Sequence, residues 1–109
     1  MKIVVIIATV IFLMFPIMRL SHSESKEAKV FKEDIIKTST GDLKITFIGH
    51  GTLMFTFGGK TIHADPVSQE ADYSKLPKAD IILVTHEHQD HLDPSAIKAI
   101  KTDKTDIIF

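Results

Sequence analysis

Cysteine is absent from all 109 residues. Its absence excludes disulfides, thiolate metal ligands and thiol nucleophiles, so any metal bound here is held through nitrogen and oxygen. Clustered basic charge is lacking too. Thirteen Lys and Arg stand against fourteen Asp and Glu with no basic patch, so charge gives no reason to expect nucleic acid as a partner. Internal repeats and low-complexity tracts are missing, which removes solenoids and biased-composition segments. No apolar run reaches the ~20 residues of an ordinary membrane-spanning helix. The length leaves room for one small domain at most.

The longest apolar run extends from Ile3 to Met18 and is interrupted only by Thr9 and Pro16. Lys2 precedes it and Ser21-His22-Ser23 follows, the pattern of a secretory signal peptide with small residues before the cut. Residues 1–23 are therefore expected to direct export to the periplasm or outside the cell, with cleavage after Ser23. An uncleaved membrane anchor formed by residues 3–18 is the alternative. Losing Lys2 and Arg19 leaves eleven basic residues against fourteen acidic ones. Residues 24–33 are polar and charged and read as a solvated leader.

From Asp34 to Phe109 the pattern becomes that of a small domain. Ile35-Ile36 is followed by the turn cluster Ser39-Thr40-Gly41-Asp42. Leu43, Ile45 and Phe47 then alternate with Lys44 and Thr46 as in a half-buried strand. Gly49-His50-Gly51 breaks that strand, and Leu53, Phe55 and Phe57 resume the alternation. Gly58-Gly59 supplies a two-residue hairpin turn and Lys60 to Ala64 return antiparallel, completing a β-meander. Asp65-Pro66 ends it. Val67 to Ala79 read as an irregular polar connection with a short helix near Ala71. Ile81 to Val84, four consecutive apolar β-formers, predict a strand covered on both faces in the middle of a layered α/β sheet. Asp93-Pro94 supplies an N-cap and first-turn proline for a helix carrying Ala96, Ile97 and Ile100 on one side. Ile107-Ile108-Phe109 is a last apolar strand.

The stretch Thr85-His86-Glu87-His88-Gln89-Asp90-His91 gathers three histidines and two acids at the end of the apolar strand. Residues two apart on extended chain share a side, so His86 and His88 can present imidazoles to one point. As the chain turns toward the helix, Asp90 and His91 become adjacent oxygen and nitrogen donors facing a second point. Such spacing suits two metals roughly 3.5–4 Å apart. Zinc accepts these donors, as do manganese, iron and nickel. His63 lacks a partner motif and reads as a packing residue in a strand, and Asp93 reads as the helix cap.

HxHxDH after an apolar strand resembles the signature loop of the metallo-β-lactamase-fold hydrolases. Ile45-Thr46-Phe47-Ile48-Gly49-His50-Gly51-Thr52 and Ala64-Asp65-Pro66 support the resemblance, which covers about residues 43 to 109 and lies nearest the branch of ascorbate-6-phosphate lactonase. The resemblance implies that His86 and His88 bind a first metal and that Asp90 and His91 bind a second. It implies that Asp90 also handles the proton of the attacking water, and that Asp65 props the metal loop from the neighbouring strand. His50 is expected near the pocket rim, while Glu87 and Gln89 are expected to point away.

The implied fold is α/β, the N-terminal part of an αββα metallo-β-lactamase domain. The implied activity is hydrolysis of a small-molecule lactone or other ester, an amide or a phosphodiester, by hydroxide generated on one or two Zn2+ ions, with Mn2+, Fe2+ or Ni2+ as substitutes. Relatives complete the set with a further aspartate and two further histidines, and no histidine follows His91. This chain is thus expected to carry half of the ligand set and one half of the fold, as a truncated product or fragment, with another chain covering its exposed side. A non-catalytic metal-binding or interaction remnant is the alternative function.

Overall fold

Two-residue alternation and glycine-rich turns organise most of residues 28–109, the part of the chain that a computed structural model describes. The signal peptide or anchor expected of residues 1–23 lies outside the described residues. Strands β1 (Lys32–Thr38), β2 (Gly41–Gly49), β3 (Thr52–Phe57) and β4 (Lys60–Ala64) form an antiparallel meander. The first strand begins inside the stretch read as a polar leader, with Lys32 opposite Phe47 and Glu33 opposite Thr46. Gly58 and Gly59, with φ of 56° and 76°, make the tight turn between β3 and β4. Positive φ at both central residues gives the turn a twist that matches the flanking strands, and glycine adopts it without a Cβ clash.

After β4 the chain crosses over and returns parallel to it as β5 (Ile81–Leu83), which pairs in parallel with β6 (Asp106–Ile108) through the intervening helix α1 (Pro94–Ile100). The sheet order is simply β1-β2-β3-β4-β5-β6. Parallel pairing requires crossovers, and both crossovers start at the same edge of the sheet: the C-terminal ends of β4 and β5, where Asp65 and Thr85 lie side by side.

The core lies on one face of this sheet. Ile48, Met54, Ile82 and Val84 pack against Ala96 and Ile100 of α1 and against Ala71, Tyr73 and Ala79 of the β4–β5 connection. That connection is thus less polar than its sequence suggested. Val67, Ala71, Tyr73 and Ala79 are all buried, and the short helix expected near Ala71 is a single 3-10 turn at Tyr73–Lys75 capped by Asp72. Asp93 caps α1 as expected: its Oδ1 accepts from the amides of Ser95 and Ala96 at 2.8 and 3.4 Å, while Oδ2 accepts from Ser68 N at 2.8 Å.

The meander's buried face is the reverse of the one its apolar alternation suggested. Thr46 and Ile48 of β2, Thr52 and Met54 of β3, and Thr61 and His63 of β4 are the buried members. Leu43, Ile45 and Phe47 share the other face with Leu53, Phe55 and Ile62, as their cross-strand register requires. Ile81, Leu83 and Ile108 extend that second face across β5 and β6. It is apolar in its middle strands yet only half-buried, with Phe47 39 %, Phe57 37 % and Ile108 52 % exposed, while Lys32 and Asp34 of β1 and Asp106 of β6 share it at the edges. For the same reason β5 is interior in the sheet but covered on one side only: Ile82 is wholly buried whereas Ile81 and Leu83 are not.

Candidate metal centre

Asp65 stands where β4 ends. Its φ of 47° is left-handed, a conformation that aspartate tolerates better than most residues but that still carries strain, the more so before Pro66. Three contacts outside its side chain hold it there. Its amide donates to Leu83 O at 2.8 Å, its carbonyl accepts from the buried Thr52 hydroxyl at 2.8 Å, and Pro66 is itself buried. The result aims the carboxylate across the end of β5 at the metal-loop residues.

Asp65 Oδ1 accepts from Thr85 N at 2.7 Å. Its Oδ2 accepts from the Thr85 hydroxyl at 2.7 Å and lies 2.8 Å from His91 Nδ1. Burial pushes the Asp65 carboxyl upward, but the Thr85 hydroxyl and amide together with His91 outweigh it and hold the group below the usual aspartate range. An ionised carboxylate only accepts, so His91 carries its proton on Nδ1 and keeps the Nε2 lone pair free. The same logic runs one step further. The Thr85 hydroxyl gives its proton to Asp65, and its oxygen then accepts from His86 Nδ1 at 2.9 Å. His86 is left with a free Nε2 lone pair as well.

The loop itself turns at His88, whose carbonyl accepts from the amides of His91 and Leu92 at 2.9 and 2.8 Å. This turn folds His91 back over His86, with ring centroids 4.0 Å apart, while His88 meets His86 edge-on at 4.6 Å. The β2–β3 hairpin supplies the opposite wall. His50 Nε2 lies 3.4 Å from Asp90 Oδ2, and His91 Nε2 lies 3.5 Å from the same oxygen. Burial pushes the Asp90 carboxyl up, but its own amide, His91 and His50 prevail and keep it below the usual range. Gly51 has no Cβ at a position where one would come within 3.0 Å of His91 Cε1. Glycine there lets the hairpin approach the ring.

Two donor groups result. His86, His88 and Asp90 form one, and His50, Asp90 and His91 form the other, each with ligand atoms all within 4.8 Å of one another. Asp90 belongs to both. Nitrogen and carboxylate oxygen at this spacing fit a divalent transition metal.

The beta-lactamase superfamily domain matches residues 44–106 of this sequence. The chain belongs to the beta-lactamase superfamily. Among relatives in this superfamily, a UPF0173 metal-dependent hydrolase from Flavobacterium johnsoniae is 45 % identical over 56 residues, covering 46 % of this chain and 24 % of the relative. One from Christiangramia forsetii is 45 % identical over 62 residues, covering 50 % and 27 %. The crystal structure of a protein from Parabacteroides distasonis assigned as a metal-dependent hydrolase is similar at a TM-score of 0.70 and 56 % identity, over 72 % of this chain and 36 % of that one. The chain spans about a quarter of the length of the curated relatives it matches. Its six-stranded mixed sheet with one helix is part of the α/β metallo-β-lactamase fold.

Within this superfamily domain, the structure brings together all six residues singled out from the sequence: His50, Asp65, His86, His88, Asp90 and His91. Glu87 and Gln89 enter neither donor group, although Glu87 helps line a shallow hollow beside His86 and Phe109. A larger apolar depression between α1 and Phe109 holds none of these six residues. Sequence reasoning missed Thr85, Thr52 and Gly51. For Thr85 the signal in the sequence is a hydroxyl placed between a strand end and a histidine. His63 is buried completely, with Nε2 3.0 Å from Pro77 O, and belongs to the core under Tyr73 rather than to the site.

Proposed function

We propose that this chain supplies the N-terminal metal-binding portion of a hydrolase that uses one or two divalent ions, zinc first among them, with manganese, iron or nickel able to substitute. The carrying observation is the pair of three-donor groups that meet at Asp90. Membership of the beta-lactamase superfamily, and the description of its relatives as metal-dependent hydrolases, support the same reading. The bond cleaved is that of a small-molecule lactone or other ester, an amide or a phosphodiester.

His86, His88, Asp90, His91 and His50 would hold a divalent ion, which would supply Lewis acidity and bring the pKa of a bound water toward ~7. The protein's own part is positional and acid–base. Asp65 fixes His91 directly and His86 through Thr85, so that both rings offer Nε2 without having to reorient. Asp90, kept ionised beside His91 and His50, offers Oδ2 as the acceptor for a proton leaving water. His88, exposed at the loop tip, completes the donors around His86.

Replacing both His86 and His88 by alanine tests this. The substituted protein is expected to lose bound zinc, measured by elemental analysis, and to lose any hydrolysis of a lactone, ester, amide and phosphodiester panel, with its circular dichroism unchanged. Full zinc retention would remove the proposed site. Zinc binding by the unsubstituted protein without turnover of any panel member would leave the non-catalytic alternative.

Two accompanying proposals rest on separate observations. The apolar sheet face made by Ile45, Phe47, Leu53, Phe55, Ile62 and Leu83 is a docking surface for a second apolar sheet layer brought by another polypeptide segment. Its half-exposed aromatics support this, because a sheet left open to water on an apolar face forfeits ~1.5–3 kcal/mol per large side chain. Residues 1–23 direct export, as the apolar run after Lys2 suggests. N-terminal sequencing of the exported protein distinguishes cleavage after Ser23 from an anchor kept at residues 3–18.

A further inference from the structure

Strand β1 forms one edge of the sheet, with β2 on its inner side and no strand among the described residues on its outer side. It runs over 7 residues, Lys32–Thr38, and none of them is buried. Ile35 is 59 % and Ile36 48 % exposed. The strand holds no proline or glycine, and its register with β2 is unbroken from Lys32 opposite Phe47 to Thr38 opposite Gly41. Shortness, proline, bulges and charge are the devices that keep an edge strand from pairing with another chain. β1 relies on charge alone, carried by Lys32, Glu33, Asp34 and Lys37.

The order of those charges decides what the edge accepts. Thr38 and Gly41 flank the Ser39-Thr40 turn as the last bonded pair of the β1–β2 hairpin, and bonded and unbonded pairs alternate along an antiparallel ladder. Thr38, Ile36, Asp34 and Lys32 therefore direct their backbone groups to β2, whereas Lys37, Ile35 and Glu33 turn N–H and C=O outward. A second β1 laid antiparallel along this edge has to match outward residues with outward residues, so its register moves in steps of two. With Ile35 opposite Ile35 of the second copy, all of β1 overlaps and Glu33 faces Lys37 on both sides of the axis. A shift of two places sets Glu33 opposite Ile35 or Ser39, and a shift of four sets Glu33 against Glu33 or Lys37 against Lys37. The register with the longest overlap is thus the one in which the charges complement. The Lys44 ammonium, 3.2 Å from Glu33 Oε1, and the Thr46 hydroxyl hold the Glu33 carboxyl below its usual range, so it is ionised at this edge.

We infer that β1 is a self-association edge: two copies of this chain pair antiparallel through it, about a two-fold axis at Ile35, and join their six-stranded sheets into one. The contact is isologous, since each copy donates and accepts through the same backbone groups of Glu33, Ile35 and Lys37. Charge alternates across the joint, from Asp42 and Lys37 of one copy to Glu33 and Lys44 of the other, because Lys37 Nζ already lies 2.6 Å from Asp42 Oδ2 within its own chain. The mismatched registers place like charges together or leave them unpaired, which favours one pairing over the rest. An axis perpendicular to the sheet keeps α1 of both copies on one side and leaves the metal loops, at the ends of β4 and β5, outside the contact. The pairing is independent of the metal reading above and uses the strand edge, not the apolar sheet face.

Sedimentation velocity of the full chain over a concentration series tests the pairing, with Glu33→Lys, Lys37→Glu and the double exchange as variants. The unsubstituted chain is expected to show a monomer–dimer equilibrium. Each single variant sets like charges opposite each other on both sides of the axis and should weaken dimerisation about tenfold. The double variant, and an equimolar mixture of the two single variants, restore opposite charges and should recover it. Ile35→Pro removes an outward N–H without breaking a β1–β2 hydrogen bond, and should abolish dimerisation with an unchanged far-ultraviolet circular dichroism spectrum. Residues 1–23 and the apolar sheet face are the same in all of these proteins, so association through either would not follow the exchange of charges. A monomer at every concentration would overturn the proposal, as would dimers equally tight in both single variants and in Ile35→Pro. Weakening in both single variants without recovery in their mixture would overturn the register and the proposal with it.

Discussion

Asp65 Oδ2 is shared between His91 Nδ1 at 2.8 Å and the Thr85 hydroxyl at 2.7 Å, so one carboxylate oxygen sets the tautomers of two histidines. The side chain of Asp65 is almost wholly buried and His91 is mostly so, in contrast to the exposed Asp90. The carboxylate that orients His91 and, through Thr85, His86 therefore lies inside the protein, while Asp90 is open to solvent.

Asp65→Asn keeps the size and the tolerance for a left-handed backbone but removes the charge that orders the protons. Metal affinity is expected to fall ~10–100-fold, as for other losses of a carboxylate behind a ligand histidine. Competition against a chromogenic chelator measures it, and an affinity within twofold of the original would show that Asp65 does not orient the loop.

Thr85→Val removes the hydroxyl that links Asp65 to His86 while keeping the branched shape. Weaker binding at the His86, His88 and Asp90 group is expected, with Thr85→Ser restoring it. Serine and valine behaving alike in the same titration would contradict the relay.

His63 is buried against Tyr73 and Pro77, and burial holds its pKa below the ordinary histidine value despite the Pro77 carbonyl, which acts the other way. Its unfolded form takes up a proton near pH 6.5 while its folded form resists. Stability is therefore fully present above that value and is lost as pH falls from there through the folded pKa. Thermal midpoints across this window should drop on acidification, and His63→Gln should flatten the dependence. A slope identical in His63→Gln would assign the effect to other groups.

Asp93→Ala removes the cap of α1 and the acceptor for Ser68 N together. A loss of ~1–2 kcal/mol in urea unfolding is expected, at the upper end for a helix cap because two segments are released. A change below about 0.3 kcal/mol would show that the helix is held by packing alone.

Phe55→Glu places a charge in the middle of the uncovered apolar face. Sedimentation velocity should show reduced self-association relative to the unsubstituted protein, with little change in far-ultraviolet circular dichroism. Equal association of the two proteins would mean that this face is not the docking surface.

The strands, their turns and the metal loop were legible because each depends on neighbours in sequence. Gly58-Gly59 imposes its turn, Asp93-Pro94 starts its helix, and His86, His88, Asp90 and His91 crowd one strand end whatever lies around them. The buried side of the meander was not legible. Leu43, Ile45 and Phe47 alternate as an apolar face opposite Lys44 and Thr46, yet Thr46 and Ile48 are buried, because α1 and Tyr73 come to that face through crossovers that alternation does not encode. The connection before β5 was misjudged for a related reason. Ala71, Tyr73 and Ala79 are scattered without a period, and only their convergence on Ile82 and Ile100 makes them core.

The amino-acid sequence by itself determined which donors the protein has: no thiolates, and histidine and aspartate packed into one loop after a β-forming run. It also marked His50 and Asp65 as unusual, one between glycines and one before proline. Only the tertiary structure decided what these donors face. Asp65 reaches His91 across 26 positions of sequence because β4 and β5 pair in parallel and end together. His50 reaches Asp90 because the β2–β3 turn opens onto the same place. Local residue order fixes backbone preference and chemistry, whereas distances between distant side chains depend on strand pairing and on how crossovers stack over the sheet.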